Sequence, residues 1–202
     1  MIRAGLSVVV VAVLCAAVSP GAAQAQRGLG FRFGLGWQEP AGELGRVLDG
    51  GLDGEASLLV PIGRFRVGGG ASWVSFNVEG EKESWNQVRF HGLVAYPMAL
   101  TPRIRSYVEG RYTHRRLRPE DDRYHGGEDR LLREFSASGS GFEGVAGLEF
   151  VIGAGAALDV AGSMGRFSIS PDLSEEGLGP IDDGSTWRVQ LGLTWFPLDG
   201  RR

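Results

Sequence analysis

The sequence predicts an all-β chain: eight antiparallel strands closed up-and-down into a barrel and preceded by an export leader. Three observations predict it. Bulky apolar residues alternate with small or charged ones in eight separate segments. Tight and long connections alternate between those segments. Glycine is abundant, at 33 of 202 residues, and each interior Gly costs a helix about 1 kcal/mol relative to Ala.

The leader comes first. Met1, Ile2 and Arg3 give a positive start, and residues 6–18 form an apolar run shorter than the roughly 20 residues a spanning helix needs. Ala23, Gln24 and Ala25 supply a small-x-small cleavage pattern. The expected division is a signal peptide over residues 1–25 and a barrel domain over residues 26–202. The sole cysteine, Cys15, lies in the leader, and Leu14 before it is not the small residue that lipoprotein processing prefers. A mature chain without a thiol has no disulfide and no Cys-ligated metal. Beyond the leader no apolar stretch approaches 18 residues, so a membrane span would have to be made with strands.

The strand segments follow in order. Over residues 28–38, Leu29, Phe31, Phe33, Leu35 and Trp37 hold one parity, and Arg32 with four glycines holds the other. Successive side chains of a strand point to opposite faces, so one face is bulky and apolar and the other is small with a single charge. Residues 55–62 set Ala56, Leu58, Val60 and Ile62 against Glu55, Ser57, Leu59 and Pro61. Phe65, Val67, Gly69, Ala71 and Trp73 oppose Arg66, Gly68, Gly70 and Ser72; the parity then slips to Val74, Phe76 and Val78, which predicts a β-bulge. Val88, Phe90, Val94, Tyr96 and Met98 oppose Arg89, His91, Leu93 and Ala95. Ile104, Val108 and Tyr112 oppose Arg105, Tyr107, Glu109 and Arg111. Phe142, Ala146, Leu148, Phe150 and Ile152 oppose Glu143, Gly147 and Glu149. Leu158, Val160 and Met164 oppose Asp159, Ala161 and Ser163. The last segment sets Trp187, Val189, Leu191, Leu193 and Trp195 against Arg188, Gln190, Gly192 and Thr194. The expected connections are long at residues 38–54, 114–141 and 167–184, moderate at 77–86, and short at 63–64, 99–103 and 153–155.

Alternation does not say which face is outside. A soluble, lipocalin-like barrel would turn the apolar set inward. The small parity, rich in Gly, Ala and Ser, suits a cramped interior better than a solvated surface. Its charges are Arg and Glu/Asp in both signs, suited to internal pairing. Trp37, Trp73, Trp187, Trp195, Tyr96, Phe142 and Phe150 sit on the apolar parity, where interfacial aromatic girdles form. The expected fold is therefore a transmembrane β-barrel.

With these residues in view, the chain resembles the OmpA/OmpX-like family of small outer-membrane barrels over nearly its whole mature length. The final strand is similar to that family's assembly signal, a polar residue, a glycine and alternating apolar or aromatic residues: here Gln190, Gly192, Leu193 and Trp195. Pro197 stands where the terminal aromatic belongs. The resemblance implies an outer-membrane location and assembly by the barrel-assembly machinery through the C-terminal strand.

An eight-stranded barrel is just wide enough for side chains to fill. Leaving a charge there without a partner costs several kcal/mol. The expected site is a lumenal ion-pair network of Arg89, Arg111, Arg188, Glu109, Glu143 and Glu149. No catalytic, cofactor or metal site is expected. His91 is one inward acid/base candidate, while His114 and His125 near Asp121 and Asp122 read as solvated. Ser106 and His114 share a strand too far apart for nucleophile and base. Arg115, Arg116 and Arg118 could meet lipopolysaccharide phosphates. The net charge of −3, with Lys82 the only lysine, points away from nucleic acid. The expected role is structural or surface-interacting, with outer-membrane lipid and lipopolysaccharide as partners; the alternatives are a narrow diffusion channel, a lipid-modifying enzyme and a soluble periplasmic binder.

Overall fold

The computed structural model describes residues 28–42, 44–46, 48–78, 84–119, 137–153, 155–171 and 181–197. The expected leader, His125, Asp121 and Asp122 lie outside them. The strands are β1 (Gly30–Gly42), β2 (Leu48–Ile62), β3 (Phe65–Val78), β4 (Ser84–Ala99), β5 (Ile104–Pro119), β6 (Ala137–Gly153), β7 (Ala156–Pro171) and β8 (Ile181–Trp195). Each pairs antiparallel with its neighbour, and β1 closes on β8. Closure leaves no strand edge unpaired, which a wall in contact with lipid requires.

The connections divide the barrel into two ends. At the turn end, Gly63 and Arg64 join β2 to β3, with Gly63 at φ 61° in the first central position, as in a type II′ hairpin. Gly155, at φ 75°, serves the β6–β7 turn. Thr101 caps the β4–β5 turn, accepting through Oγ1 from the Ile104 amide at 3.0 Å. At the opposite, loop end, a 3-10 turn (Leu44–Arg46) lies between β1 and β2.

The parities settle as expected through the middle of the wall. Leu35 is 75% exposed, Phe142 72% and Leu191 64%, while Arg32, Arg89, Arg111 and Arg188 are buried. A soluble lipocalin-like barrel would show the reverse, and that alternative is overturned. Exposed aromatics mark two levels of the outer wall: Phe65, Tyr96, Phe150 and Trp195 toward the turn end, and Trp37, Trp73, Phe90, Tyr112, Phe142 and Trp187 toward the loop end. Along β3, β4, β6 and β8 these levels are six to eight residues apart, or about 20–26 Å of strand. Tilted strands of that length cross the apolar core of an outer membrane.

Two expectations fail, for one reason. The ladders run well past the upper aromatics: residues 38–42 and 48–54 are strand, β5 reaches Pro119 and β6 starts at Ala137. No bulge follows Trp73, because β3 keeps register with both neighbours through Val74 and Phe76. Trp73 points out, and Val74 and Phe76 point in and are fully buried. The apolar parity switches because the surroundings switch. Below the upper aromatics the wall is apolar outside and polar inside; above them Leu48, Phe76, Leu117, Phe167 and Ile169 face inward, and Asn77, His114, Arg116, Arg118, Arg166 and Ser168 face outward. The register shifts that do occur lie at Leu48/Gly51, Val151/Gly153 and Phe167/Ile169.

Candidate functional site

The interior is stacked in layers. At the turn end Leu59, Leu93 and Phe196 form an apolar floor, with the Arg66 guanidinium 5.4 Å from the Phe196 ring centre. Phe196 belongs to no strand, and a side chain at Gly30 would collide with its ring.

Above the floor, Arg66 grips Glu149 through its two terminal guanidinium nitrogens, Nη1 and Nη2. Tyr107 donates to Asp159 at 3.1 Å, and Arg32 lies 4.8 Å from the Tyr107 ring centre while donating to Glu109 at 2.7 Å. Glu109 also accepts from Arg111 Nε. Arg111 reaches across to Glu55 at 2.7 Å.

Arg188 is the hub of the next layer. Its Nη1 donates to Glu55 at 2.6 Å and Asp53 at 2.9 Å, and its Nη2 donates to Glu143 at 3.2 Å. Arg89 donates to Glu143 at 3.3 Å, Asp53 at 3.4 Å, Gln38 at 3.2 Å and Ser72 at 2.8 Å. One connected network therefore runs from Arg32 to Arg89 and, with Ser72 on β3 and Ser163 on β7, draws groups from all of β1 to β8. Arg115 tops it, 3.9 Å from the Phe167 ring centre and hydrogen-bonded to Thr113 and Thr186.

Leu44, Leu48, Val74, Phe76, Leu117, Ala137, Phe167 and Ile169 close the loop end as an apolar cap, with Trp85 packed against it. Leu44 comes from the 3-10 turn, so the first loop folds inward over the mouth.

Of the expected network, Arg89, Arg111, Arg188, Glu109 and Glu143 are joined in one assembly. Glu149 is held apart from them by its own pair with Arg66. Sequence reasoning missed Asp53, Glu55 and Arg115. Asp53 sits among glycines that read as a loop, and Arg115 sits in a charge run that reads as solvent-facing; continuing the parity of Ser57 and Thr113 past the expected strand ends would have found both. Among the described residues, six arginines and six carboxylates are buried, so the interior has no net charge to attract one sign of ion. Each is stabilised by charge-assisted bonds or ring contacts that a low-dielectric interior strengthens.

His91 approaches a catalytic pattern without making one. Its Nε2 lies 3.0 Å from Ser57 Oγ, and Ser57 donates to Glu55 at 3.1 Å. The serine therefore stands between base and acid, whereas nucleophile activation needs the base in the middle. His91 Nδ1 has no partner among the described residues, and both Ser57 and His91 are buried.

The comparisons bear on this geometry. The chain is similar in fold to Neisserial surface protein A, at 10% identity and a TM-score of 0.62, over 83% of this chain and 96% of that one. A major outer membrane protein from Thermus thermophilus aligns at 13% identity and a TM-score of 0.41, over 84% and 99%. The outer membrane protease OmpT from Escherichia coli aligns at 9% and 0.36, over 83% and 94%. No curated protein matches. The family model of the outer membrane protein beta-barrel domain matches residues 8–195, and with the outward apolar belt and the charged interior already described, the chain belongs to that family of outer-membrane β-barrels.

Proposed function

We propose that this outer-membrane protein is a sealed, non-enzymatic barrel that acts through its wall and loops in envelope integrity or surface contact. The observation that carries the reading is the filled lumen: an ion-paired network between an apolar floor and an apolar cap. An ion entering would have to break buried pairs, and each broken buried pair costs about 3–5 kcal/mol. The Ser57–His91–Glu55 arrangement, buried and in the wrong order, argues against a hydrolase.

In this reading residues 1–25 are removed on export, and β8 is the strand recognised by the barrel-assembly machinery. The loop end faces outward and the belt meets outer-membrane lipid, with lipopolysaccharide above it. Planar-bilayer recording on the folded, full mature chain tests the reading. A sealed barrel gives no steady conductance, and reproducible unitary steps from the purified protein would replace it with a channel. Lipid A mass spectra from cells with and without the protein test the non-enzymatic part: unchanged acylation is expected, and a shifted acyl pattern would overturn it.

A further inference from the structure

Seven of the eight seams of the barrel join strands that are consecutive in the chain and tethered by a turn or loop. The β1–β8 seam joins the first strand to the last and has no such tether. Its ladder runs from Gly42↔Gly184 at the loop end to Phe31↔Trp195 at the turn end, which is its last pair. The ends of a chain stay ordered only where something ties them down. Here one contact does so on each face of the wall. Outside, the Phe31 and Trp195 rings lie across the seam with centres 6.2 Å apart. Inside, the Phe196 ring lies against Gly30, where a Cβ would fall 2.3 Å from Cε1 and 2.6 Å from Cζ. Gly30 does not have a positive φ, so the ring, and not the backbone, excludes a side chain there.

The backbone and the ring of Phe196 are fixed on opposite sides of that seam. The amide donates to the Gly155 carbonyl at 2.7 Å, which ties the backbone to the β6–β7 turn. The ring is fully buried and packs with Leu59 of β2 and Leu93 of β4. The Arg66 guanidinium of β3 stands 5.4 Å from the ring centre, and that arginine is itself held by Glu149 of β6. With Gly30 of β1 beneath it, the ring therefore touches each of the first four strands, while its own backbone belongs to the last. Only a closed barrel brings these groups together. Pro197 follows and has no N–H to donate, so it cannot extend the ladder beyond the latching residue.

We propose that Phe196 is a closure latch: its ring, seated on Gly30 beneath Arg66, holds the untethered β1–β8 seam shut at the turn end and sets how slowly the barrel reopens. Gly30 is the receiver, since any side chain there takes the place of the ring. A contact that forms only after the strands have paired slows unfolding more than it speeds folding. The Arg188–Glu55 pair crosses the same side of the barrel in mid-wall; Phe196 holds the end from which the ladder would peel. The proposal goes beyond the sealed-lumen reading and does not rest on it. Channel conductance would end that reading and leave the latch standing.

The experiment follows amide hydrogen exchange by mass spectrometry on the folded, full mature chain in phosphatidylcholine liposomes, together with the unfolding rate in urea. Phe196→Ala should raise exchange in peptides covering residues 29–36 and 190–196 and leave residues 94–108, at the β4–β5 seam, unchanged. It should also speed unfolding about a hundredfold. Phe196→Leu should fall between Phe196→Ala and the wild type. Val145→Ala opens a cavity in the separate Tyr107, Val145 and Ala161 cluster and should speed unfolding without concentrating exchange at β1 and β8. Gly30→Ala should behave as Phe196→Ala does, and adding it to Phe196→Ala should change little more, because the ring it displaces is already gone. Exchange that rises evenly in all strands, a Val145→Ala pattern matching that of Phe196→Ala, or additive losses in the Gly30→Ala/Phe196→Ala double variant would overturn the proposal. Should Phe196→Ala fail to insert, Phe196→Leu set against Val145→Ala decides it by the same localisation of exchange.

Discussion

Arg188 on β8 and Glu55 on β2, 133 residues apart in the chain, meet across the lumen at 2.6 Å. Their strands share no ladder, since β1 stands between them. The contact therefore ties the first hairpin to the last strand through the inside of the barrel. Arg188 bridges three carboxylates. Its replacement by Leu should destabilise the barrel by about 3–5 kcal/mol, because buried anions lose their common partner. Urea unfolding in liposomes checks this; a change below about 1 kcal/mol, the scale of an exposed pair, would mean that water reaches the site freely.

The Arg66–Glu149 pair is isolated enough for a double-mutant cycle. Arg66→Met alone and Glu149→Leu alone should each cost about 3 kcal/mol or more, since each strands a buried charge. The double variant should lie closer to the wild type than either single variant, because an apolar pair needs no counter-ion. Additive losses in the same unfolding assay would contradict the pairing.

The interior also restricts side-chain volume at particular glycines. A Cβ on Gly68 would lie 2.0 Å from the Leu58 carbonyl oxygen, a backbone atom that cannot swing away, whereas Gly110 has nothing within 4 Å. Gly68→Ala should therefore weaken or block assembly, and Gly110→Ala should leave it unchanged or strengthen it slightly by removing backbone freedom in the unfolded chain. The fraction showing heat-modifiable migration reads both. Equal folding yields would contradict the close approach at Gly68.

The change of polarity at the upper aromatics makes a position-specific prediction. Trp73→Asp places a charge near the edge of the apolar belt, where such substitutions cost about 0–1 kcal/mol. Phe76→Ala, three residues on and inside the cap, should cost about 3–5 kcal/mol by leaving a cavity. A reading with a bulge after Trp73 would point Phe76 outward and predict little loss from its truncation. Unfolding free energies of the two variants, compared in one liposome preparation, decide between them.

How much of this was legible in the chain follows from the same boundary. Period-two alternation identified β8 and the middle of β1 directly, because lipid on one side and packed charge on the other enforce strict chemical contrast. The contrast reverses where the wall leaves the belt. Val74 and Phe76 then resembled a slip, and Asp53 and Arg115 resembled loop residues. Pairing partners were not legible at all. Nothing in the spacing of Glu149 selects Arg66 over Arg89, because that choice depends on strand register and tilt around the closed barrel. Phe196, just past the last strand, carried no periodic signal, and only the closure of β1 on β8 brings it under the floor.

The orientation of the wall is the claim on which the rest stands, and β8 allows it to be measured. Because the only cysteine, Cys15, precedes the barrel, single-cysteine variants at positions 189 to 194, made in a chain of residues 26–202, can be spin-labelled without background. Oxygen accessibility in liposomes should be high at Val189, Leu191 and Leu193 and low at Gln190, Gly192 and Thr194. The opposite phase, with labels at Gln190 and Thr194 in lipid and those at Leu191 and Leu193 shielded, would contradict the account.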